Sequence, residues 1–62
     1  MDERDILERK MGELNSSNMQ YRNTLQIVPL TDDEMEAMRE RIRANMAELK
    51  VLQEKLDRLP SS

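Results

Sequence analysis

Chemistry in this chain has to come from carboxylates, basic side chains, amides and hydroxyls. There are 13 acidic and 10 basic residues, one tyrosine, and no histidine, cysteine or tryptophan. Without histidine no side chain titrates by default between pH 5 and 8, and without cysteine the readiest thiolate nucleophile is missing. The ligand set that zinc prefers is missing for the same reason. A single glycine, Gly12, leaves no phosphate-cradling loop. The carboxylates are plentiful but spread over exposed helix positions, and two helices offer no cleft to perturb them. The reading is therefore not an enzyme, with no catalytic residue, no cofactor and no metal.

Two clusters invite a charged partner. Arg39, Arg41 and Arg43 stand together, but they point to different sides of a helix and Glu36, Glu40 and Glu48 interleave with them. The net charge is −3, whereas a nucleic-acid backbone binder needs a basic surplus. The acidic run Asp32-Asp33-Glu34 is explained by helix capping. No nucleic-acid partner is expected.

The elements that carry these residues are helices. Pro29 disfavours helix at Val28. Thr31 followed by Glu34 has capping-box spacing, each side chain bonding the other residue's amide. The expected layout is a single domain, 1–62, with helix 1 over about 3–28, a turn at about 29–31, helix 2 over about 32–59 and a tail at 60–62. Helix 1 is the weaker. Gly12 costs about 1 kcal/mol relative to alanine. Asn15-Ser16-Ser17-Asn18 competes for backbone hydrogen bonds, so a break there and an extended run over Thr24–Val28 are open alternatives.

Apolar residues recur with heptad spacing. In helix 2, Met35, Ile42, Leu49 and Leu56 take a positions, and Met38, Asn45, Leu52 and Leu59 take d. In helix 1, Met11, Asn18 and Leu25 take a, and Leu7, Leu14, Tyr21 and Val28 take d. Antiparallel folding sets Leu7 on Leu56, Met11 on Leu52, Leu14 on Leu49, Tyr21 on Ile42, Leu25 on Met38 and Val28 on Met35. The same register sets Asn18 on Asn45, so the two polar interruptions share one layer and fix the alignment. Replacing Asn45 by leucine is expected to raise stability and loosen specificity. The flanks oppose the register, with Lys10 near Lys55 and Arg22 near Arg39. A hairpin formed between chains and a parallel dimer of helix 2 remain competitors.

The fold class is thus all-α, a two-helix antiparallel coiled-coil hairpin, oligomerising or docked on a partner. A chain of 62 residues without disulfide or metal has few other means of support. Two surfaces suit a partner. Ile6, Ile27, Ala37, Ala44 and Val51 fall at c positions on one side, beside small Ser17 and Thr24, and form the expected interface. Met19 and Met46, on the other side next to Asn15, form a secondary patch of adaptable side chains. The function expected is a non-catalytic protein-interaction module, a structural or adaptor subunit of a larger assembly. The alternative is a small regulatory or chaperone-type protein that masks or inhibits a larger target. The partner is protein, either self or a larger complex, in a homo- or hetero-oligomer. No apolar run reaches the ~20 residues that span a bilayer. The acidic start Asp2-Glu3-Arg4-Asp5 is unlike a secretory or transit peptide. The cytoplasm or an intracellular assembly is the expected location.

Overall fold

The computed structural model describes residues 2–60. It is an antiparallel hairpin of α1 (Glu3–Ile27) and α2 (Asp32–Arg58), packed against each other along their length. No strand occurs among the described residues. The two expected helices are present, each one residue shorter at its C-terminal end. Residues 61–62 of the expected tail lie outside the described residues.

Helix α1 begins at Asp2, whose carboxylate accepts from the Asp5 amide at 2.9 Å. The helix then runs unbroken through Gly12 and Asn15–Asn18 to Ile27, so neither the break nor the extended run forms. The Gly12 penalty is met without steric demand, since a Cβ there would touch nothing within 4 Å. Thr24 stays helical by turning its hydroxyl back to the Gln20 carbonyl at 2.9 Å. Pro29 ends the helix: Val28 takes extended backbone, φ −102° and ψ 128°.

The capping box opens α2 as its spacing requires. The Thr31 amide donates to Glu34 Oε1 at 3.0 Å, and the Glu34 amide donates to Thr31 Oγ1 at 3.2 Å. Leu30 and Met35, placed to form a hydrophobic staple around this cap, are both half-buried. The Thr31 backbone N–H, and then its hydroxyl, hold the Glu34 carboxyl below its ordinary value of 4.5. A carboxylate depressed in the folded state adds stability that is present above that ordinary value and lost as pH falls through the lowered one. Glu34→Gln should therefore lower the melting temperature slightly at neutral pH and flatten the acid side of the profile, so that parent and variant converge as pH falls through that window. Parallel acid arms for parent and variant would show that the box is not formed in solution.

The core follows the seam. Leu7 and Leu52 are 6% and 5% exposed, and the other seam residues are buried or half-buried. Val28 is the exception at 44% exposed. Its extended backbone carries it off the heptad path, so the seam closes one layer early, and Leu30 in the turn is half-buried. The far end keeps register, because Glu3 and Arg4 line one groove with Leu59 and Pro60.

The hairpin is a thin rod of 48 × 16 × 13 Å. Its radius of gyration is 14.6 Å, against about 10.6 Å for a compact chain of this length. It exposes 5042 Å², where a compact monomer of 7.4 kDa would expose about 4,200 Å². No helix among the described residues is long and apolar enough to cross a membrane.

Candidate functional site

The asparagine layer forms. Asn45 Nδ2 donates to Asn18 Oδ1 at 2.9 Å across the seam. Asn18 is 3% exposed, the most enclosed side chain described, while Asn45 is half-buried. The pair is unequal, because the acceptor sits deep and its donor partner stays near water. Every fully enclosed side-chain nitrogen or oxygen among the described residues has a partner. Asn18 Nδ2 has none among them, so it still reaches the open space beside the seam.

That space is a groove of about 510 Å³ lined by Asn15, Asn18, Met19, Arg22, Met46 and Leu49, and extended by Asn23 and Gln26. Met19 and Met46 meet here, as the register requires, and both are exposed. Arg22 donates Nη2 to Met46 Sδ at 3.9 Å, a weak contact for a guanidinium. Asn15 and Asn18 were expected here, Arg22 was read only as a like-charge neighbour of Arg39, and Asn23 and Gln26 were not singled out in the sequence. Heptad labels alone placed Asn15, Arg22 and Met46 at e and Met19 and Gln26 at b, which was the available signal.

The opposite flank carries the expected interface. Ile6, Ile27, Ala37, Ala44 and Val51 are all exposed, Ile27 most of all at 78%. Ser17 and Thr24 beside them are half-buried. On α2 Ala37, Ala44 and Val51 recur one heptad apart with the exposed Arg41 and Glu48 beside them on the same flank, and on α1 the exposed Glu13 and Gln20 separate Ile6 from Ile27. A shallower groove of about 250 Å³, lined by Tyr21, Glu34, Ala37, Met38 and Arg41, opens at the turn end of this flank.

Electrostatics do not tie the helices together. The one ion pair among the described residues is Arg43 to Glu36 at 3.0 Å, within α2 and exposed on both sides, so it is worth little. Gln53 donates to Asp57 at 2.9 Å, also within α2. No group of three or more acidic side chains is placed to hold a metal ion among the described residues. The arrangement offers two long exposed faces, one apolar and small, one amide-rich with methionines. No known protein family, curated protein or solved structure matches the chain.

Proposed function

We propose that the chain is a non-catalytic coiled-coil interaction module, a structural or adaptor subunit of a larger protein assembly. The observation that carries this reading is the shortage of interior. Only Leu7, Leu52 and Asn18 are buried among the described residues, and the rod exposes about 800 Å² more than a compact chain of its mass. That surplus is close to one partner's share of a standard protein interface. A chain so short of core gains stability by covering a face. The uninterrupted helix through Gly12 and Asn18 supports a preformed module over a regulator that folds only on its target. A cytoplasmic or other intracellular assembly fits a chain without cysteine.

The strip of Ile6, Ile27, Ala37, Ala44 and Val51 is the face we assign to a partner protein. Small residues at 37 and 44 let a partner helix approach closely, and Ile27 and Val51 supply apolar area toward either end. Ala44→Glu puts a charge at the centre of this strip, away from the seam. Affinity capture of partners by the parent and by this variant should differ, with bound protein lost from the variant and helical ellipticity unchanged. Equal capture by both would make the strip ordinary surface.

A further inference from the structure

We propose that the amide-and-methionine flank is where a second copy of this chain docks, antiparallel, to make a four-helix dimer. The argument starts from an internal conflict. Arg22 and Arg39 share this flank near the turn, both exposed, and neither has a carboxylate partner among the described residues. Arg43 joins them and is the only one of the three in an ion pair. At the other end of the same flank stand Asp5, Glu8 and Asp57, all exposed. Counting Glu36, which pairs with Arg43, and Lys50 midway along α2, the flank keeps a basic surplus near the turn and an acidic surplus near the chain ends. Within one hairpin these ends lie far apart along a 48 Å rod, well beyond the ~10 Å over which salt at 0.1 M screens exposed charges.

A twofold rotation brings them together. The axis crosses the rod at the level of Asn15 and Glu48 and lies in the plane of the flank. It places α1 on α1 and α2 on α2 of the second copy, each antiparallel. Glu8 then comes opposite Arg22 of the second copy, and Asp57 opposite Arg39 of the second copy. Each of these contacts occurs twice. At the axis the Asn15 amides of the two copies meet. They come within reach of Asn18 Nδ2, the solvent-facing donor of a side chain only 3% exposed, from which no described residue accepts. Met19 and Met46 on either side supply deformable apolar area. The rod's broadest silhouette, 48 by 16 Å, is about 770 Å², so a copy docked along the whole length of a flank could approach the ~800 Å² per partner of a stable interface.

The apolar strip fails the same operation. There the axis would set Glu48 against Glu48 of the second copy and Lys55 against Arg41 of the second copy. Self-association thus uses one flank and leaves the strip of Ala37, Ala44 and Val51 free on each copy. This deepens the reading of the chain as an interaction module, but it does not depend on the strip.

The test is a charge exchange read by sedimentation equilibrium, with circular dichroism on every sample. The parent should sediment at twice 7.4 kDa. Glu8→Arg alone sets arginine against arginine, and Arg22→Glu alone sets glutamate against glutamate, so each variant should weaken dimerisation at least tenfold while keeping its helicity. Mixed in equal amounts, the two variants should recover the dimer, because each contact then joins opposite charges. Ala44→Glu should remain dimeric. A parent that sediments as one chain overturns the inference, as do single variants that keep the parent's mass or a mixture that does not reassociate. Loss of the dimer in Ala44→Glu alone would assign self-association to the apolar strip instead. Capture of other proteins by the strip is a separate readout, so the two proposals fail independently.

Discussion

Leu52→Ala should leave the hairpin largely unfolded at room temperature. Leu52 is one of two apolar side chains buried among the described residues. Removing a buried leucine costs about 2–5 kcal/mol, and a domain of this size seldom has more than ~3–5 kcal/mol in total. The thermal midpoint should fall by at least about 10 °C, if a transition is seen at all. Val28→Ala is the matched control. Heptad spacing gives Val28 the same d label, but it is 44% exposed and should cost less than ~1 kcal/mol. Melting curves by circular dichroism decide the matter. Comparable losses in the two variants would mean that the seam is not buried as described.

The second large effect lies in the asparagine layer, and its sign depends on how many asparagines are replaced. The 2.9 Å bond reverses the expectation that Asn45→Leu alone would stabilise. That change strips Asn18 Oδ1 of its donor inside an environment that is 3% exposed. An orphaned buried acceptor costs about 1–3 kcal/mol, more than a leucine gains at half-buried position 45. Asn18→Leu with Asn45→Leu removes both polar partners and buries two apolar side chains, worth ~2 kcal/mol each when fully enclosed. The expected order of melting temperatures is double variant, parent, then Asn45→Leu. The double variant should gain about 5 °C or more. It should also lose uniqueness and sediment as a mixture, since nothing polar then fixes the alignment. A single Asn45→Leu that melts above the parent would show that this hydrogen bond contributes little.

Much of the hairpin was legible because its signals are local and redundant. The Thr31–Glu34 spacing, Pro29 and the two heptad tracts each mark the same turn, and the matched asparagines select one register among several. What the sequence left open were competitions between weak local preferences and the seam. Gly12 and Asn15–Asn18 are poor helix formers, yet Met11, Leu14 and Asn18 are held against α2, and packing outweighs propensity over a few residues. Val28 went the other way: its label promised burial, but the conformation demanded before proline carried it out of line. The candidate faces were only half legible. Heptad labels say which residues share a side, and so they placed Met19 with Met46 and Ala37 with Ala44. They do not say which donor in a polar layer is left over. The unpaired Asn18 Nδ2 and the lone Arg22–Met46 contact depend on side-chain directions that spacing does not encode.

The missing ion pairs between α1 and α2 have a consequence for how the molecule answers to its medium. The seam is made of apolar contacts and one neutral amide bond, and mobile ions do not screen either kind. The charges that oppose each other along the flanks, Arg22 with Arg39 and Lys10 with Lys55, are exposed and do feel the ionic atmosphere. Added salt therefore relieves a small repulsion inside one hairpin, and in the dimer proposed above it would weaken the attraction between the oppositely charged ends of two copies. For that dimer the expected result is that simple salt, with no denaturant, parts it into helical single chains, because the seam that holds each hairpin is not screened.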